Sequence, residues 1–67
     1  MKTEYRTIET VRPGDLVWRY HLCNLTGPYI VTHMNSSISF VVRIMNTEAG
    51  EIECLRNELR RAHVFEE

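Results

Sequence analysis

Ile38-Ser39-Phe40-Val41-Val42-Arg43-Ile44-Met45 is the stretch that decides the fold class. Ile38, Phe40, Val42 and Ile44 alternate with Ser39, Val41, Arg43 and Met45. A period of two with bulky and β-branched residues on one side describes a strand with one buried face. The segment after it, Asn46-Thr47-Glu48-Ala49-Gly50, has the length and the late glycine of a bulged hairpin loop. Glu51–Leu55 then returns as a strand, with Ile52 and Cys54 opposite Glu51, Glu53 and Leu55. Arg56-Asn57-Glu58-Leu59 fits one helical turn, and Arg60–Phe65 a short last strand. A helix over Glu51–His63 competes with this reading, because Ile52, Leu55, Leu59 and Ala62 fall at helical spacing. Asn57 and the strand pattern upstream favour two strands and a single turn.

Reading upstream, Tyr29–Met34 alternates Tyr29, Val31 and His33 with Ile30, Thr32 and Met34, and Asn35-Ser36-Ser37 is the turn that follows. Cys23–Pro28 is expected to be a loop closed by Gly27-Pro28. Leu16–Leu22 reads as a strand, with Val17 and Arg19 on one side and Leu16, Trp18 and Tyr20 on the other, entered through a turn at Arg12-Pro13-Gly14-Asp15. Residues 1–11 form an arm or an edge strand, 12–65 the folded unit and 66–67 a tail. Five short strands at this spacing make an all-β, five-stranded small barrel with one helical turn near residues 56–59, since closure removes the open edges of a sheet. Val17, Ile30 or Val31, Phe40, Val42, Ile44, Ile52 and Leu59 are expected to be buried together.

The order of signals resembles an SH3-like barrel. Pro13-Gly14-Asp15-Leu16-Val17-Trp18-Arg19 is similar to the first strand of such barrels. Gly27-Pro28-Tyr29-Ile30-Val31 and Ser39-Phe40-Val41-Val42-Arg43-Ile44 resemble the second and third strands in the carboxy-terminal domain of retroviral and retrotransposon integrases. Gly50-Glu51-Ile52 follows the distal hairpin, and Leu55-Arg56-Asn57-Glu58-Leu59-Arg60-Arg61-Ala62 resembles the closing turn and last strand. The likeness spans residues 12–63. It implies DNA binding and multimer contacts.

The chain has 67 residues, 8 Lys and Arg against 9 Asp and Glu, and a net charge of −1. That length accommodates one small domain, which buries only about 60% of the surface of its unfolded chain. Self-association is one remedy for so small a core, so a homo-oligomer is expected as readily as a monomer. Near-neutrality counts against a general nucleic-acid binder. The charge is unevenly spread, however. No acidic residue lies between Asp15 and Glu48, and that stretch holds Arg19, Arg43, His21 and His33. An acid-free polar stretch suits an anion or an acidic partner. Two cysteines are too few for a disulfide framework, and no signal peptide or long apolar run is present. A cytoplasmic protein without membrane attachment is expected. Beginning at Met1 and ending two residues after Phe65, it reads as a complete small gene product of the kind carried by phages and mobile elements.

Candidate chemistry is sparse. Ser36, Ser37 and Ser39 lie in or beside a turn with no nucleophile motif, and a small barrel filled with side chains offers little room for a catalytic pocket. His21 and Cys23, with His33, His63 or Cys54, are the candidate metal ligands, but they lack the paired spacing of a zinc site. No enzyme activity, metal or cofactor is expected. Trp18, Tyr20 and Tyr29 are candidates for an aromatic binding surface, with core packing as the alternative for Trp18 and Tyr29. The expected binding face therefore comprises Trp18, Arg19, Tyr20, His21, Tyr29, His33, Arg43, Arg60 and Arg61. A protein partner is the leading expectation. Nucleic acid comes second, held at phosphates by those arginines and Arg56. A small anionic ligand such as a nucleotide, bound between subunits, comes third.

Overall fold

The computed structural model describes residues 1–34 and 40–66. The Asn35-Ser36-Ser37 turn and the Ile38-Ser39 start of the decisive strand lie outside the described residues. The protein is all-β. Six strands, β1 (Lys2–Thr7), β2 (Leu16–His21), β3 (Asn24–Met34), β4 (Val41–Asn46), β5 (Gly50–Leu55) and β6 (Leu59–Phe65), form one antiparallel sheet in the order β1-β6-β2-β3-β4-β5. A single 3₁₀ turn, Arg56–Glu58, joins β5 to β6, so the helix over Glu51–His63 does not form. Among the described residues β1 and β5 are the ends of the sheet and do not pair with each other.

Alternation explains the core. Val42 and Ile44 on β4 face Cys54 and Ile52 on β5, and Ile44 also faces Val31 on β3. Val17 faces Tyr29. Val17, Val31, Val42, Ile44 and Leu59 are fully buried, with Tyr29, Cys54, Ile8 and Val11 beside them and Met34 and Ile52 packed against the cluster. Ile8 and Val11 enter from the segment after β1, which thus closes one side of the core. Burial, with the carboxylates of Glu58 and Glu53 adding to it against Arg19, pushes the Cys54 thiol up to about 11.

Three expectations need correction. Phe40 is not in the core: it is 55% exposed and precedes β4. The paired residues of β4 and β5 end at Val41 and Leu55; beyond them a single bond in the same register, from the Arg56 N–H to the Phe40 carbonyl at 2.6 Å, marks the frayed end of the ladder, and Phe40 stands there at the margin of the sheet. Of the pair Ile30 or Val31, Val31 is the buried member, as that expectation allowed, and Ile30 is exposed.

The turn between β2 and β3 is not at Gly27-Pro28. His21 pairs with Asn24, leaving Leu22 and Cys23 as a two-residue hairpin turn with φ of 51° and 63°. Both values lie in the left-handed region that a tight hairpin of this kind demands. Gly27 and Pro28, joined by a cis peptide bond, lie inside β3. There they form a bulge: Val17 pairs with Tyr29 and Arg19 with Thr26, so two residues of β3 stand against Trp18 alone. A Cβ on Gly27 would sit 2.8 Å from the indole Cδ1 of Trp18. Glycine here is what lets the indole lie on the strand.

A second bulge changes which side chains of β3 face inward. Val31 pairs with Ile44 but His33 pairs with Arg43, so Thr32 has no counterpart. Strict alternation would put His33 on the side of Tyr29 and Val31. The extra residue turns His33 out to solvent and brings Met34, opposite Val42, onto the core.

Candidate functional site

The acid-free stretch of sequence does not remain acid-free in space. Arg43 lies across β4–β5 from Glu53, and its guanidinium reaches Glu51 at 3.5 Å and Glu53 at 3.6 Å. Arg19 projects towards the 3₁₀ turn, where its Nη2 lies 3.1 Å from Glu58 Oε2. His21 Nδ1 lies 2.9 Å from the same oxygen. Glu58 Oε1 accepts the Leu55 N–H at 3.3 Å. Burial would raise this carboxyl, but the Leu55 N–H, the Arg19 guanidinium and the His21 ring together hold it below its ordinary value. Arg61 meets Asp15 at 3.3 Å, and Arg56 donates to the Glu9 carbonyl at 2.9 Å. The carboxylates of the flanks thus neutralise Arg19, Arg43 and Arg61. A basic face opposed to an acidic one is not what the fold builds.

Aromatic residues converge elsewhere. On the face of the sheet away from the core, Tyr5 of β1 and Trp18 of β2 meet edge-on with ring centroids 5.5 Å apart. Trp18 stands opposite Arg60 of β6. Tyr20, two residues along, stands opposite Leu25 of β3. The Arg60 guanidinium carbon lies 5.3 Å from the Tyr20 ring centroid. Its Nη1 donates to the carbonyls of Asn57 and Leu59 at 2.7 and 2.9 Å. These contacts fix the guanidinium over the ring without engaging a carboxylate.

Tyr5, Tyr20 and Leu25 remain 42%, 44% and 38% exposed. With Thr3, Glu4 and Arg60 they line an open groove of about 390 Å³. The same face continues through Leu16, Ile30 and Met45, which are paired in register across β2, β3 and β4 and are all exposed.

Of the nine residues singled out in the sequence, the structure brings Trp18, Tyr20 and Arg60 into this patch. Arg19 and His21 gather at Glu58. His33 and Arg43 share a small hollow with Val41 and Glu53 at the far end of the outer face. Arg61 lies near the entry turn. Tyr29 is in the core, 5% exposed, with its hydroxyl donating to Thr26 Oγ1 at 2.9 Å. It offers no ring to a ligand. The candidate metal ligands do not converge: among the described residues no three His, Cys, Asp or Glu side chains are placed to hold an ion.

Tyr5 and Leu25 were missed. Tyr5 sits in Lys2-Thr3-Glu4-Tyr5-Arg6-Thr7, where charged Lys2, Glu4 and Arg6 alternate with β-favouring Thr3, Tyr5 and Thr7. That alternation was the available signal for a strand with an outward tyrosine.

No protein-family model, curated protein or solved structure matches the chain. Among the described residues no helix is long and apolar enough to cross a membrane.

Proposed function

We propose that the protein is a small, non-enzymatic SH3-like module that binds another protein through the groove between β1, β2, β3 and β6. The observation that carries this reading is the exposure of Tyr5, Tyr20 and Leu25 around a guanidinium that meets no carboxylate within ion-pair distance among the described residues. A small domain gains stability by burying such side chains. Leaving three together around an oriented cation suits a partner that covers them, since aromatic residues and arginine carry most of the energy at protein interfaces. The partner segment is one with an apolar side chain for the Tyr20–Leu25 floor and a carboxylate for Arg60.

The SH3-like part of the reading is supported by the strand order β6-β2-β3-β4-β5 and by the single 3₁₀ turn between β5 and β6. The turn lies where residues 56–59 were expected to form one. The internal pairing of Arg19, Arg43 and Arg61 leaves few cations for a phosphate backbone, which argues against the DNA binding that the integrase resemblance implies.

The test is affinity capture of partners by the tagged chain after nuclease treatment, with Tyr20→Ala, Leu25→Asp and Glu48→Gln variants run in parallel. A polypeptide that survives nuclease, is retained by Glu48→Gln and is lost with the two groove variants supports the proposal. Material that disappears with nuclease, or that the groove variants retain in full, overturns it.

A further inference from the structure

We infer that the chain forms a two-fold dimer by pairing the outer edge of β1 with β1 of a second copy, antiparallel and centred on Tyr5. The inference does not depend on the proposed partner-binding function. β1 is six residues long, contains no proline, is exposed throughout and pairs among the described residues with β6 alone. Its other backbone edge is therefore a template for a further strand.

A symmetric antiparallel pairing must be centred on a residue, because residues that stand opposite one another point to the same face. Centring on Glu4 would set Glu4 against itself and Lys2 against the second copy's Arg6. Centring on Arg6 would set Arg6 against itself. Centring on Tyr5 sets Glu4 against the second copy's Arg6 twice, Thr3 against Thr7 twice, and Tyr5 against Tyr5. The five residues Thr3-Glu4-Tyr5-Arg6-Thr7 are a palindrome in which the two charges are of opposite sign. Opposite charges and paired aromatics directly across two strands stabilise a sheet, and like charges oppose it. The Glu4–Arg6 ion pair within each chain, 3.3 Å, would be exchanged for one between chains, two for two over the dimer, with each charge then set directly across the strands.

Two other edges paired on one side only, β5 and the end of β6, lack this property. On β5, Glu51 and Glu53 flank Ile52, so symmetric registers centred on any of the three oppose carboxylates or leave them unmatched. Beyond Arg60, β6 is paired on one side only, and its edge carries Arg61 and His63 with no carboxylate in the strand. Of the three edges, β1 is the one whose sequence is complementary to itself. A two-fold axis through Tyr5 also makes an isologous, closed pair rather than a fibre. It sets the two Tyr5–Trp18 clusters side by side on one face of a continuous sheet.

The experiment is sedimentation equilibrium of the full chain over a concentration series, with Glu4→Arg, Arg6→Glu and the double charge swap. The expected result is a particle of twice the 7.9 kDa chain mass. Each single reversal should weaken association by about tenfold or more, and the double swap should restore it to within about threefold. In a Cys23→Ser background, Tyr5→Cys should oxidise to a disulfide-linked dimer, since directly opposed strand positions lie within bridging distance. Thermal unfolding of dilute samples verifies that each variant folds. A single-chain mass at every concentration overturns the inference. So does a dimer that survives both single reversals, or one that the double swap fails to restore.

Discussion

Glu58→Gln is the perturbation that most sharply tests how the last strand is held to the sheet. One carboxylate joins three elements: Oε2 receives Arg19 at 3.1 Å and lies 2.9 Å from His21 Nδ1, both on β2, while Oε1 receives the Leu55 N–H at the end of β5. The Glu58 and Arg19 side chains are 17% and 22% exposed, so the pair is neither a surface ion pair nor a fully desolvated one. Exposed pairs are worth about 0–1 kcal/mol, and breaking a buried pair costs about 3–5 kcal/mol. Charge-assisted hydrogen bonds contribute about 1.5–3 kcal/mol. A loss of about 2 kcal/mol at neutral pH follows for Glu58→Gln. A domain of this length has roughly 3–10 kcal/mol in all, so Tm should fall by about 8–16 °C. The pH dependence has a definite sign. The folded carboxyl is held below its ordinary value of 4.5, so its stabilisation is present above that value and is lost as pH falls through the lower, folded one. Urea unfolding followed by Trp18 fluorescence from pH 7 to pH 3 should show the gap between wild type and variant closing over the acid end. A variant within about 0.5 kcal/mol of wild type at pH 7, or a gap that stays constant into acid, refutes the reasoning.

Other consequences are open to the same assay. Ile44→Ala empties a fully buried position and should cost about 2–5 kcal/mol, whereas Phe40→Ala should cost less than about 1 kcal/mol, because Phe40 is half exposed. Gly27→Ala forces a methyl to 2.8 Å from the Trp18 ring at a φ of 141°, and should destabilise by about 2 kcal/mol with a shift in indole emission. Leu22→Asn relieves a left-handed leucine in the β2–β3 turn and should raise stability by about 1 kcal/mol, measured as a higher urea midpoint at unchanged slope.

Where the chain alternates without interruption, the fold was legible in it. Val42, Ile44, Ile52, Cys54 and the 56–58 turn lie where period-two spacing and local composition put them. Misreadings cluster where backbone geometry departs from that period. Gly27-Pro28 looks like the end of a loop because glycine and proline usually punctuate. Here glycine is needed for the close approach of Trp18, and the real turn falls on Leu22-Cys23, which carry no turn chemistry. The bulge at Thr32 turns His33 outward, and a one-residue insertion leaves no trace in a hydrophobic pattern. Phe40 continues the alternation of Val42 and Ile44 in sequence but lies beyond the last ladder pair.

For the site, the limiting factor was pairing between distant segments. Arg43 appears unopposed until β5 places Glu51 and Glu53 beside it, and Arg19 until the 3₁₀ turn brings up Glu58. Trp18, Tyr20 and Arg60 were legible as surface-capable residues. Their convergence with Tyr5 depends on β6 lying between β1 and β2, an order that no local pattern specifies.

The claim that matters most is that this face is where a protein partner is bound. A photo-crosslinking residue in place of Tyr20, with Glu48 as the control position, tests it directly in cells. The account predicts a nuclease-resistant polypeptide adduct from position 20 that is absent from position 48 and lost when Leu25→Asp is added. Adducts to nucleic acid, or equal polypeptide adducts from both positions, would contradict it.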